Sequence, residues 1–178
     1  MAASASIRRA TLDDVDALVA LVESAYRGEA SRAGWTTEAD LLGGRRTDAT
    51  DVRACLARPQ SQILVAEDGG RLVACAHVCV EDAGGYFGLF AVTPGQQGGG
   101  LGSAILAAAE RVVRDEWGLA VMRMTVIDVR DELIAYYQRR GYVRTGVHRP
   151  FPYGDERFGE PKRADLRFEV LEKRLAAG

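Results

Sequence analysis

Phe90-Ala91-Val92-Thr93-Pro94-Gly95-Gln96-Gln97-Gly98-Gly99-Gly100-Leu101-Gly102 runs from an apolar segment through a glycine-dense turn into an alanine-rich stretch. Four glycines between positions 98 and 102 leave almost no side chain at the turn, so successive backbone N–H groups can approach one anionic ligand. The stretch that follows reads as a helix over 101–117. Leu101, Ile105, Ala108, Ala109, Val112 and Trp117 share one face, and Glu110, Arg111, Arg114 and Asp115 take the other. Its alanines favour helix, Gly118 is placed to close it, and its N-terminus adds partial positive charge to the turn. The pattern predicts a loop that holds a pyrophosphate at a helix N-terminus.

Two competing phosphate motifs do not fit. A Walker A loop ends in Gly-Lys-Ser/Thr, whereas Gly102 is followed by Ser103 and Ala104, with no lysine for nucleotide phosphates. A dinucleotide fingerprint, Gly-x-Gly-x-x-Gly, is matched only in part by Gly98-Gly99-Gly100 or Gly100-Leu101-Gly102, because positions 103 and 105 are Ser and Ile. Gln97-Gly98-Gly99-Gly100-Leu101-Gly102 instead resembles the Gln/Arg-x-x-Gly-x-Gly/Ala signature of the GNAT superfamily, the GCN5-related N-acetyltransferases. Ala91-Val92-Thr93-Pro94 resembles the end of that family's fourth strand. Downstream, Ala135-Tyr136-Tyr137-Gln138-Arg139-Arg140-Gly141-Tyr142 is similar to its Ala-x-x-Tyr-x-x-x-Gly-Phe/Tyr segment.

The rest of the chain alternates element types without a repeat or linker. Ser6 to Ala10 reads as a first strand. Thr11-Leu12-Asp13-Asp14 supplies a cap and an acidic first turn for a helix carrying Val15, Leu18, Val19 and Val22. Trp35-Thr36-Thr37-Glu38 looks like a second helix start, leading into Leu41 and Leu42 and broken by Gly43-Gly44, with a further helical piece over 51–56. Strands over 63–66 and 71–80 are joined by Asp68-Gly69-Gly70, a hairpin signal, and another strand covers 86–92. After the glycine loop and its helix come a strand over 120–127, a short helix over 132–140, and strands over 142–145 and 166–169, with 151–161 as a loop. The order β-α-α-βββ-α-β-α-ββ predicts a mixed α/β fold with helices on both faces of the sheet. It is also the GNAT order, which implies a mostly antiparallel central sheet, and the resemblance covers nearly the whole chain.

The chain has 178 residues, the size of one domain, expected to span residues 1–178. A formal charge of -2, with Lys and Arg spread along the chain, offers no patch suited to nucleic acid. No apolar run is long enough to span a bilayer, and the first residues lack the basic and apolar regions of a signal peptide, so no membrane partner is expected and the cytoplasm is the expected location. Cys55, Cys75 and Cys79 lack metal spacing, so no metal is expected, and Cys75 and Cys79 read as small reduced side chains filling a core or sheet face. A homodimer is a mild expectation, from the tendency of exposed strand edges to pair.

The resemblance implies an acetyl-CoA-dependent N-acetyltransferase acting by direct transfer to a primary amine, borne by a small molecule or by a protein N-terminus or lysine. It places the pyrophosphate on the backbone of Gln97, Gly98, Gly99, Gly100, Leu101 and Gly102 with the Ser103 hydroxyl, and the pantetheine arm against Phe90, Ala91 and Val92. Tyr137 stands where the family carries the tyrosine that hydrogen-bonds the coenzyme sulfur, while Tyr136 reads as packing on a different helix face. A phenol is a sensible acid here, since its ordinary pKa of about 10 is not far above the thiol's, about 8.5. The chain departs from the family twice. No carboxylate lies in the strand over 86–92, which leaves Glu81, Asp82, Asp128, His77, His148 or water as candidate bases, and Arg130 replaces an Asn. The acceptor site is expected in the loops over 26–46 and 148–161, where Tyr26 and Trp35 could line an apolar slot and Arg149-Pro150-Phe151-Pro152-Tyr153 could close over it. A GNAT-fold module that binds acyl-CoA as a sensor, with little chemistry, is the alternative reading.

Overall fold

A computed structural model describes residues 5–27, 42–43, 46–96, 99–155 and 159–176. Its elements, in chain order, are β1 (Ser6–Arg9), a 3-10 turn (Leu12–Asp14), α1 (Val15–Tyr26), β2 (Leu42–Gly43), α2 (Ala49–Ala57), β3 (Ser61–Asp68), β4 (Arg71–Glu81) and β5 (Gly84–Val92). Then come α3 (Leu101–Arg111), β6 (Val121–Ile127), α4 (Asp131–Gln138), β7 (Val143–Pro150), β8 (Glu160–Pro161) and β9 (Arg167–Arg174). A seven-stranded sheet in the order β1-β3-β4-β5-β6-β9-β7 carries the fold. Its neighbours are antiparallel except β5 and β6, which run parallel.

Local chemistry sets the ends of these elements. The Asp14 carboxylate accepts the Thr11 backbone N–H at 2.7 Å and pairs with Arg8, closing the entry to α1. Asp48 caps α2 by accepting the Asp51 N–H at 2.9 Å. The β3–β4 hairpin turns on Gly69 and Gly70, with φ of +58° and +80°, the pair of left-handed residues a tight hairpin needs.

Side chains alternate across the sheet, so its two faces build two cores. On one face α1 and α2 bury Leu18, Val22, Ala25 and Val52 over Ile63, Val65, Cys75 and Ala91. On the other, α3 and α4 bury Ile105, Leu106, Ala109, Leu133, Ile134 and Tyr137 over Leu64, Ala76, Phe87, Phe90, Met122 and Met124. Cys55, Cys75 and Cys79 carry free thiols, and Cys75 and Cys79 are buried.

Several sequence expectations are corrected. Leu42 and Gly43 do not end a helix but form β2, which pairs with β8, and the helix start at Trp35 lies outside the described residues. The last two strands are longer than the apolar pattern showed: β7 reaches Pro150, so His148 and Arg149 lie in a strand, and β9 runs to Arg174. β7 is an edge strand exposed throughout, with no buried alternation to mark it. The helix over 101–117 changes character at Val112, where a π turn over Val112–Glu116 lets the Trp117 N–H reach back to the Val112 carbonyl. Glu110, expected on the polar face, is 9% exposed and accepts two hydrogen bonds from Lys173 Nζ at 2.8 and 2.9 Å.

Candidate active site

The cleft arises from how β5 leaves β6. The two strands pair only at Gly85–Met122 and Tyr86–Arg123. Beyond this point β5 carries a bulge: Leu89 and Phe90 together oppose Ala76 of β4, and Leu89 takes φ +50°, a conformation costly for a branched side chain. The bulge is held from both sides. The Cys75 thiol donates to the Leu89 carbonyl at 3.4 Å, and the Tyr26 hydroxyl, at the end of α1, donates to the Phe90 carbonyl. A cavity of about 210 Å³ opens between the parting strands, with Tyr26, Phe90, Thr125, Leu133 and Tyr137 in its walls.

Tyr137 is 4% exposed and sits in an aromatic cluster, its ring centroid 6.3 Å from those of Phe87 and Phe90 and 5.9 Å from that of Tyr142. Burial is the main cause that pushes its phenol well above the ordinary value, and the Arg130 guanidinium works against that shift. The group therefore keeps its proton across neutral pH, and its residue lines the cavity. Tyr136 packs as expected, but in the same cluster, its ring stacked 6.1 Å from Phe90.

At the start of α3, Gly100 is the N-cap with φ +85°, and Gly102 lies where an added Cβ would come within 2.7 Å of the Tyr136 hydroxyl and 2.9 Å of Phe90 Cζ. The glycine at 102 thus lets α3 lie directly on β5 and α4. Gln97 and Gly98 lie outside the described residues. Ser103 Oγ accepts from Arg140 Nε at 2.9 Å, and the Arg140 guanidinium stacks 3.5 Å from the Tyr136 ring centroid. Arg140, which sequence reading passed over, therefore brings a cation to the helix terminus already expected to attract an anion. Phe90 and Val92 are buried toward α3, and Ala91 toward α1.

The candidate bases do not converge on the cavity. His77 is hydrogen-bonded to Ser61 Oγ at 2.7 Å beneath α2, and burial, with help from Arg58, pushes it down to about 4. Asp128 pairs with Arg167, His148 lies 3.5 Å from Glu169, and Glu81 lies 3.6 Å from Arg58. Asp82 belongs to the positive-φ turn between β4 and β5. Glu81 and Asp82 do line a second, smaller cavity beside Tyr86 and Thr125, whose hydroxyls are 2.7 Å apart. Tyr26 and Phe151 line the main cavity, whereas the Tyr153 hydroxyl is engaged with the Arg163 carbonyl and the Leu166 N–H. Among the described residues no group of three or more His, Cys, Asp or Glu side chains is placed to hold a metal ion. No helix of the described residues is long and apolar enough to cross a membrane.

Residues 19–142 match the family described as Acetyltransferase (GNAT) family. The chain belongs to the GNAT family. The match takes in the glycine loop, both tyrosines and the cleft's lining residues up to Tyr137, but not Phe151 or Phe168. This GNAT chain is 27% identical over 146 residues to mycothiol acetyltransferase of Salinispora tropica, covering 79% of this chain and 45% of that protein. It therefore spans less than half of that relative's length. It is 29% identical over 120 residues to IAA acetyltransferase of Azospirillum brasilense, covering 66% of this chain and 75% of the other. Its fold is similar to that of the ribosomal-protein-S18-alanine N-acetyltransferase of Escherichia coli, with a TM-score of 0.70 at 17% identity over 98% of this chain and 96% of that one.

Proposed function

We propose that this chain is a single catalytic domain, spanning residues 1–178, that transfers the acetyl group of acetyl-CoA directly to a primary amine, of a small molecule or of a protein N-terminus or lysine. In this reading the backbone of Gln97 to Gly102 and the Ser103 hydroxyl hold the pyrophosphate. The pantetheine arm runs along Phe90, Ala91 and Val92 into the cavity between β5 and β6. The neutral amine attacks the thioester carbonyl, the carbon–sulfur bond breaks, and Tyr137 gives its phenolic proton to the departing thiolate. The amine's surplus proton leaves to solvent and the phenolate is reprotonated. Burial raises the phenol, but it raises a thiol emerging into the same cavity as well, so the proton transfer is not left strongly uphill.

The observation that carries this reading is that Phe90 and the buried Tyr137 line the cavity where β5 and β6 part, and that α3 begins against the same Phe90 through Gly102, where a side chain would not fit. Acetyl-CoA titrated into wild type and a Gly99→Glu variant tests it. Among the described residues an added Cβ at Gly99 meets only the Gln96 carbonyl, at 3.7 Å, an ordinary contact, while the new charge opposes the pyrophosphate. Binding in wild type and at least tenfold weaker binding in the variant are expected, with an amine-dependent release of coenzyme thiol. Equal binding by the two proteins would refute the loop assignment.

One observation favours a second reading, an acyl-CoA sensor with little turnover: no carboxylate lines the cavity among the described residues. Saturable acetyl-CoA binding without thiol release in any amine would favour it.

A further inference from the structure

An acceptor amine must lose a proton, and among the described residues no Asp or Glu lines the main cavity to take it. A smaller cavity of about 20 Å³ shares a wall with the main one and does have carboxylates, since Glu81, at the end of β4, and Asp82 line it. Tyr86, Met124 and Thr125 line both cavities, and of these three only Tyr86 and Thr125 carry polar side chains. Their hydroxyls are hydrogen-bonded to each other at 2.7 Å. The pair stands where the strands part. Tyr86 is the last residue of β5 paired with β6, opposite Arg123, and an added Cβ at Gly88 would come within 3.3 Å of Tyr86 Cε1, so the ring lies beside the stretch of β5 that has left β6. Burial is the largest cause that raises the Tyr86 phenol, the Thr125 hydrogen bond opposes it, and the Glu81 charge adds to the rise, which puts that carboxylate within electrostatic reach of the hydroxyl.

We propose that Thr125 and Tyr86 carry the acceptor amine's proton out of the main cavity to Glu81, by way of the smaller cavity. This rests on the transferase reading above and supplies the base that reading lacks. The amine's N–H bond breaks as its proton joins Thr125 Oγ1, the Thr125 proton passes to Tyr86 Oη, and the proton of Tyr86 leaves towards Glu81. Both hydroxyls end neutral, and the Glu81 carboxylate becomes a carboxylic acid. A water needs about 10–15 Å³, so the smaller cavity has room for one to bridge phenol and carboxylate. The Glu81 side chain is 39% exposed and hands the proton on to solvent. The other ionisable groups along the route are Asp82, Arg58, Arg123 and Arg149, with Arg46 and Cys79 acting on Tyr86. Arg58 lies 3.6 Å from Glu81, while Arg123 donates to Glu172 at 2.9 Å and to the Asp82 carbonyl at 3.3 Å, which ties the β4–β5 turn to β6. Tyr137 remains the donor to the thiolate, so the proton given and the proton taken use different groups.

The test measures thiol release from acetyl-CoA with tyramine, glycinamide and an alanine-headed tripeptide as acceptors, from about pH 6 to about pH 10, where such amines pass from charged to neutral. Wild type is compared with Tyr86→Phe, Thr125→Val, Glu81→Gln and the double variant Thr125→Val with Glu81→Gln, and calorimetry checks that each binds acetyl-CoA. Tyr86→Phe and Thr125→Val remove one hydroxyl each and keep the side chain's shape. Loss of the route lowers kcat by about a hundredfold at neutral pH in each hydroxyl variant, with coenzyme affinity kept. The deficit shrinks as pH rises and the amine arrives neutral, which a merely structural defect does not produce. The double variant is no worse than the poorer of its two single variants, because both interrupt one route. Wild-type turnover in the hydroxyl variants, a deficit that stays constant across pH, or losses that multiply in the double variant would overturn the relay while upholding the transferase reading. Absence of thiol release by wild type with all three amines would overturn both.

Discussion

Replacing Gly102 by alanine sets helix propensity against packing, and the geometry decides the sign. In an exposed helix interior the change would add about 1 kcal/mol of stability, and less in the first turn. Here the new methyl lies 2.7 Å from the Tyr136 hydroxyl and 2.9 Å from Phe90 Cζ, separations that force a displacement. Both neighbours are the far ends of rigid rings. Tyr136 is sandwiched between the Arg140 guanidinium at 3.5 Å and Phe90 at 6.1 Å, and Phe90 abuts Phe87 at 5.4 Å. Overpacking of this kind costs about 1–3 kcal/mol, so the net expectation is a loss of about 1–2 kcal/mol. In urea denaturation the midpoint falls without a change of slope, and the melting temperature drops by about 2–4 °C per kcal/mol lost. A cycle with Tyr136→Phe, which removes the nearer contact, returns a favourable coupling of at least about 0.5 kcal/mol. Gly102→Ala as stable as wild type, or a cycle without coupling, would refute the claim that this glycine exists for close packing of α3.

Other perturbations probe separate parts of the account. Tyr137→Phe keeps acetyl-CoA affinity and lowers kcat by about a hundredfold or more, measured as thiol release; unchanged turnover removes its role as acid. Glu110→Gln leaves Lys173 without its buried counter-charge, and since the lysine is 29% exposed the cost is about 1–2 kcal/mol in chemical denaturation, largely recovered in Glu110→Met with Lys173→Met. His77 is held neutral in the fold, at about 4 against an ordinary value near 6.5, so the unfolded chain binds the extra proton first as pH falls. Its contribution is therefore intact above pH ~6.5 and lost between that value and pH ~4, by at most about 3 kcal/mol. His77→Gln flattens the fall of stability with pH across that window; an unchanged slope would show that other groups set it.

Features with short-range causes were legible in the sequence. The alanine-rich helix, the Asp68-Gly69-Gly70 hairpin and the order of the helices and of the main sheet's strands follow from local periodicity and turn chemistry, and the structure has them, with the short β2 and β8 in addition. The cavity's position was implied by the resemblance through Phe90 and Tyr137, and both line it. Three features were not legible because their causes are long-range. The bulge at Leu89 comes from registry with β4, and nothing in the local pattern marks a leucine for positive φ. Glu110 looks like surface on a helical wheel until Lys173, 63 positions away, is brought beside it by β9. The arginines of the cavity come from three separated stretches and form a group only when the fold brings positions 27, 46 and 130 to the parting of β5 and β6. The edge strand β7 has no buried face, so alternation could not reveal its length.

The central claim, that the thioester sits against Tyr137 in the parting of β5 and β6, is tested most directly by a crystal structure of the protein with coenzyme A. The account predicts the pyrophosphate at the start of α3 beside Gly99, Gly100 and Ser103, and the thiol sulfur within hydrogen-bond distance of the Tyr137 hydroxyl. A coenzyme bound elsewhere, or a sulfur separated from Tyr137 by the wall of the cavity, would contradict it.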